Sequence, residues 1–157
     1  MAPGAEIAAK LERATAAAQQ QRLDDATSLL DEVLAADPDN LRAHDLYGFV
    51  LFFQQRYAEG EQHCRRALEL KPDHAYAHKG LGLHLAKLGR LEEGVAMLER
   101  AMELMPSWLD PYWDLAVTYH EAGRGEEALA VLERAKVAVP AQAARVDAFI
   151  GQLKPEG

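Results

Sequence analysis

Residues 75–108, AYAHKGLGLHLAKLGRLEEGVAMLERAMELMPSW, form the unit that the rest of the chain copies. Within it stand Leu81-Gly82, Leu85, a Gly89-Arg90 turn, Gly94, Leu98, Ala101 and Pro106. A shift of 34 residues upstream finds Tyr47-Gly48, Leu51, Gln55-Arg56, Gly60, Cys64, Ala67 and Pro72 in the same places. The same shift downstream finds Leu115-Ala116, Tyr119, Gly123-Arg124, Ala128, Leu132, Ala135 and Pro140. A weaker copy precedes them all, with Arg13-Ala14, Ala17, Gln21-Arg22, Ala26, Leu30, Val33 and Pro38. Such a fixed period marks units that cannot bury an apolar face alone and must stack on their neighbours.

Each copy reads as two helices. Residues 6–20 are alanine-rich and helix-favouring, with Leu11 the one bulky apolar side chain after Ile7. Residues 23–36 follow, with Leu29, Leu30, Val33 and Leu34 at helical spacing and Asp24 and Asp25 at the positive end of the helix dipole. Later first helices are predicted at 41–54, 75–88 and 109–122, and second helices at 58–70, 92–104 and 126–139. Gly48, Gly82 and Ala116 are expected to face Gly60, Gly94 and Ala128, because paired small residues let two helices approach closely. Beyond Pro140, Val146, Phe149, Ile150 and Leu153 occupy the inward places of one more first helix, 143–153, which is expected to cap the stack. Residues 1–6 and 154–157 read as loose ends.

Composition narrows the function. Across 157 residues, 49% hydrophobic and 27% charged content describes a globular chain, and the net charge of −8 excludes the basic stripe of a nucleic-acid binder. It equally disfavours an anionic membrane surface. One cysteine, Cys64, closes no intrachain disulfide, and Glu6, Lys10, Glu12 and Arg13 interrupt any leader-like apolar run, so a cytoplasmic location is expected.

The repeated positions carry the signature of tetratricopeptide repeats, which the chain resembles from Ile7 to Leu153. In residues 41–74, 75–108 and 109–142 the match is specific. In 7–40 Lys10 and Arg13 take sites that are usually apolar, and the site that is often tryptophan is His44, His78 and Tyr112. The resemblance implies an all-α solenoid of four helix-turn-helix repeats plus a capping helix. It also implies that first helices line a concave surface that receives a partner peptide or helix. The groove positions so implied are Arg42, Asp45, Phe49 and Phe52, then Tyr76, Lys79 and Leu83, then Asp110, Trp113, Val117 and His120. Tyr76 and Trp113 are read as facing the groove, while Phe49 and Phe52 either face it or pack between repeats. Repeat modules that clamp the acidic tails of heat-shock chaperones need Lys, Asn and Arg where this chain has Leu11, Thr15, Leu46, Tyr76 and Gly80, or Asp45, Phe49, Gly80, Asp110 and Asp114. Neither frame supplies positive charge for a carboxylate, so that role is disfavoured.

No residue pattern points to catalysis or to a cofactor. His74 and His78 stand at i, i+4, a chelating spacing, but no third ligand is near, and His78 reads as a packing residue. His84 reads as a hydrogen-bonded, semi-buried histidine and Cys64 as an inert packing thiol. Adjacent Glu92-Glu93 and Glu126-Glu127 do not face each other on a helix and suit its N-terminus. The leading expectation is therefore a protein-interaction scaffold, not an enzyme. A self-associating assembly scaffold and a client-specific chaperone or accessory subunit are the alternatives.

Overall fold

The computed structural model describes residues 2–154. Eight α-helices pair into four antiparallel hairpins: α1 (Pro3–Gln19) with α2 (Leu23–Ala36), α3 (Leu41–Phe53) with α4 (Tyr57–Leu70), α5 (Ala75–Lys87) with α6 (Leu91–Leu104), and α7 (Leu109–Glu121) with α8 (Gly125–Ala138). A 3₁₀ turn at Pro140–Gln142 then leads into α9 (Ala143–Leu153), and all elements among the described residues are helical. The chain is an all-α solenoid. Helix α1 starts at Pro3, earlier than the loose segment 1–6 anticipated, because proline at the first helical position gives up an N–H that has no intrahelical partner anyway. Met1 and residues 155–157 lie outside the described residues, so the expectations for them stand apart.

First helices touch first helices of the next repeat, α1 with α3, α3 with α5 and α5 with α7, whereas second helices make no comparable contact among the described residues. That asymmetry bends the stack and places the first helices on its inner wall. Leu30, Leu51, Leu85, Leu98, Leu115 and Leu132 are among the side chains fully withdrawn from water between the layers.

Two devices recur along the stack, one in all four hairpins and one at the three junctions between them. Within each hairpin the first helix ends on a residue with positive φ: Gln21 at 60°, Gln55 at 59°, Gly89 at 82° and Gly123 at 75°. The following arginine N–H then returns to a carbonyl five residues back, Arg56 to Leu51 at 2.9 Å and Arg124 to Tyr119 at 2.8 Å, satisfying an otherwise orphan acceptor. The arginine side chain pairs forward with the acid three residues on, as in Arg90–Glu93 at 2.7 Å, and Arg90 also reaches Glu61 of the preceding repeat at 3.1 Å. Between hairpins, a polar ring clasps the terminal proline. His44 Nε2–H donates to Pro38 O at 2.7 Å, His78 Nε2–H to Pro72 O at 2.9 Å, and Tyr112 Oη–H to Pro106 O at 3.1 Å. A proline carbonyl just past a helix has no intrahelical donor, so a ring six residues on supplies it.

Glutamine in the left-handed region carries a backbone cost that glycine avoids, about 1 kcal/mol or slightly more. The Gln55→Gly variant is therefore expected to be more stable than the parent by about that amount, read as a rise in the urea midpoint at unchanged m. An unchanged or lowered midpoint would show that the Gln55 side chain compensates the strain.

Candidate functional site

Along the first helices the expected groove positions recur in four columns. Arg42, Tyr76 and Asp110 form the first, Asp45, Lys79 and Trp113 the second, Phe49, Leu83 and Val117 the third, and Phe52 and His120 stand in the fourth. On this face a cleft, open to solvent on one side, lies between the second and third repeats. Asp45, Phe49, Phe52, Tyr76, Lys79 and Leu83 all border it. Trp113 and Val117 line a second hollow further along the same wall, next to Leu83. Arg42, Asp110 and His120 are exposed and do not border the first cleft.

The cleft's floor comes from small residues. Cys64 on α4 fits beneath Gly48 and Gly80, and a Cβ on either glycine would stand only 3.0 Å from its Sγ. Burial pushes the Cys64 thiol up to about 12, so it is a packing group and not a nucleophile. Directly behind lies His84, 1% exposed, whose Nε2–H donates to Gly48 O at 2.9 Å. Its ring occupies the space that Gly60 leaves, since a Cβ there would fall 2.1 Å from the imidazole. The pairing of small residues across a hairpin thus holds for Gly82 and Gly94, where an added Cβ would meet the partner's carbonyl oxygen at 2.8 and 2.7 Å. It fails for Gly48 and Gly60, whose vacant space is taken by Cys64 and by His84 of the next repeat. Only the tertiary contact shows this, because His84 lies a hairpin away in sequence.

The rings divide between groove and scaffold. Phe49 and Tyr76 are 39% and 38% exposed, and Phe49 leans on Phe53 with centroids 4.9 Å apart. Phe52 is half-buried with its edge toward His84 at 5.7 Å. Trp113 is also half-buried, stacked on Phe149 of α9 at 3.8 Å and 12°, with the Arg145 guanidinium 5.3 Å from its ring. Its indole therefore serves largely to seat the capping helix. Trp108, at the N-cap of α7, stacks parallel to Tyr76 at 6.2 Å and joins the site unannounced by the repeat pattern.

Charge in the cleft is arranged in pairs. Asp45 Oδ2 accepts from His74 Nε2 at 2.7 Å, so His74 and His78 turn to different partners. Lys79 Nζ stands 3.1 Å from Asp114 Oδ2, off the line of a hydrogen bond, and 6.0 and 5.7 Å from the Tyr76 and Trp108 rings. Asp45 Oδ1 and Asp114 Oδ2 are buried without a hydrogen-bond donor. Burial raises both carboxylates above their ordinary pKa, opposed by His74 in one case and Lys79 in the other. Asp114 stands outside the groove positions expected from the sequence, because its column otherwise holds Leu46 and Gly80, which carry no charge.

Tetratricopeptide-repeat family models match residues 39–107 and 85–153, and the chain belongs to that family. Among solved structures it is similar to a mutant of the Thermobaculum terrenum O-GlcNAc transferase, with 31% identity and a TM-score of 0.72 over 74% of this chain. The match spans 22% of the transferase's length. A crystal structure of the MamA protein is similar at a TM-score of 0.73 and 19% identity, covering 88% of this chain and 75% of that one. A second MamA structure, designated AMB-1, has 27% identity and a TM-score of 0.64, with 83% and 71% covered. No curated protein matches the chain in sequence. No helix among the described residues is long and apolar enough to cross a membrane.

Adding a methyl group at Gly60 must displace the buried His84 ring, so Gly60→Ala is expected to destabilise the fold by about 1–3 kcal/mol. Gly125→Ala, where nothing lies within 4 Å, serves as the control and is expected to be neutral or stabilising. Equal urea midpoints for the two variants would contradict the packing described.

A pH dependence follows from two histidines. Burial holds His84 below its ordinary pKa, and burial with His44 nearby holds His63 down at about 4. The unfolded chain takes up these protons near pH 6.5 and the folded chain only lower, so their contribution to stability is whole above about pH 6.5 and is lost towards pH 4. Asp45 and Asp114, raised by burial, protonate first in the folded state and work in the opposite sense at the acid end. The urea midpoint is expected to fall between pH 7 and pH 5, and His63→Gln to flatten that fall. A pH-independent midpoint over this range would refute it.

Proposed function

We propose that this chain is a protein-interaction module whose inner groove receives a peptide or helical segment of another protein. The observation that carries this reading is the cleft between the second and third repeats, bordered by Phe49 and Tyr76, two large rings left open to water. Exposed aromatic side chains beside a concave, mainly apolar hollow are typical binding anchors, each often worth about 2 kcal/mol or more. Family membership supports a binding role in general. The transferase to which the chain is similar exceeds it several-fold in length, and its activity is not carried over.

Anchoring falls to Tyr76 and Phe49, with Phe52 and Leu83 completing the apolar wall and Asp45 and Lys79 fixing orientation. Trp113 contributes through its exposed edge and through the capping helix that it holds. Arg42, Asp110, Val117 and His120 extend the surface to either side. We read the chain as a binder and not as an enzyme, since its groove histidine, lysine and carboxylates are arranged as ion pairs and show no nucleophile beside a base.

Affinity purification from the native cell with the parent chain and Tyr76→Ala tests this. Recovery of the partner is expected to fall at least about tenfold in the variant. The control is Val137→Ser on α8, at a side chain 82% exposed and away from the cleft, which is expected to leave recovery unchanged. Equal recovery with Tyr76→Ala would move the binding surface off the inner wall.

A further inference from the structure

The cleft's chemistry narrows what it receives, on the premise that the groove binds a peptide. Its walls are of two kinds. Phe49, Phe53 and Tyr76 offer ring surface, 39%, 49% and 38% exposed. Asp45 and Asp114 border the same hollow, and each keeps one carboxylate oxygen buried without a hydrogen-bond donor. Against these two acids the lining offers one ammonium, Lys79, which stands near Asp114 but out of hydrogen-bond alignment. The other neighbour, His74, already spends its Nε2–H on the second oxygen of Asp45.

Two carboxylates that share a single ammonium leave the hollow short of positive charge, and a donor bearing positive charge is the strongest remedy. Both acids also have raised pKa values from burial, the mark of negative charge short of compensation. Electron-rich ring faces beside a carboxylate favour the same kind of guest, because they attract a cation without competing for its hydrogen bonds. The chain as a whole carries a net charge of −8, which draws basic segments towards it at encounter.

We propose that the partner segment is basic and amphipathic: an apolar side chain settles against Phe49 and Tyr76, and a neighbouring arginine or lysine donates to Asp45 and Asp114. Lys79 is then a placeholder. It partly neutralises Asp114 in the empty groove and competes with the incoming cation.

Selection from a displayed library of random dodecapeptides on the immobilised full chain tests this. Enriched peptides are expected to carry Arg or Lys within a few residues of Phe, Leu, Met or Tyr. A synthetic copy of the leading peptide, followed by the emission of Trp108 and Trp113 together, is expected to bind at least about tenfold more weakly to the Asp45→Asn, Asp114→Asn double variant. Its affinity is also expected to fall with added salt and to rise with Lys79→Met. Far-UV circular dichroism and urea midpoints of these near-isosteric variants report whether they fold. Enrichment of acidic or uncharged peptides that lose affinity in Tyr76→Ala, or weaker binding to Lys79→Met, overturns the basic-partner inference and leaves the groove function standing. Enriched peptides indifferent to Tyr76→Ala, or none enriched at all, overturn both.

Discussion

His84 ties the second repeat to the third, and the cleft exists because of how it does so. The imidazole fills the space left by Gly60 and donates to Gly48 O, so one ring from α5 is locked into both helices of the preceding hairpin. A donor aimed at a helical carbonyl leaves the ring in one tautomer, with Nδ1 buried and unpartnered. Protonation would bring a second N–H into a place without an acceptor, which is why burial favours the neutral form.

This junction differs from the rest of the stack. One buried apolar cluster runs through α1, α2 and α3, and another through α6, α7, α8 and α9. Between them lies a small cluster of Cys64, Leu81 and Leu85. Where neighbouring junctions hold Leu30 or Leu98 and Leu46 or Asp114, this one holds Cys64 and Gly80. The missing volume opens on the inner wall as the cleft, so the same residues that thin the core make room for a guest. A hollow so formed keeps its shape, because glycine contacts at helix backbones have no rotamers to relax into.

Ion pairs decorate the outside with a regularity that reflects the repeat. The turn arginines bridge to acids on their own helix and, at Arg90 and Arg124, to Glu61 and Glu92 of the repeat before. These pairs lie at the surface, Glu61 more covered than the others, and each is individually weak. Their contribution is to register: they match one hairpin to the next in a stack whose apolar surfaces alone would tolerate some sliding.

Much of this was legible in the residues. The 34-residue period, the proline closing each copy and the turn before each arginine define two-helix units, because local backbone chemistry and a stripe of buried side chains repeat together. Val146, Phe149 and Ile150 announced α9, and all three are buried. Gly89 and Gly123 marked turns by residue type, whereas Gln21 and Gln55 in the same left-handed conformation were marked only by their place in the repeat. What only the tertiary structure decided is how side chains from different repeats share space: His84 in the hole at Gly60, Trp113 laid on Phe149, Trp108 beside Tyr76, and Asp114 reached by Lys79. A repeat fixes which face of a helix turns inward. It does not fix what meets it there, because that depends on the rotation and spacing of the neighbouring hairpin, which the volume of every residue at the junction sets together.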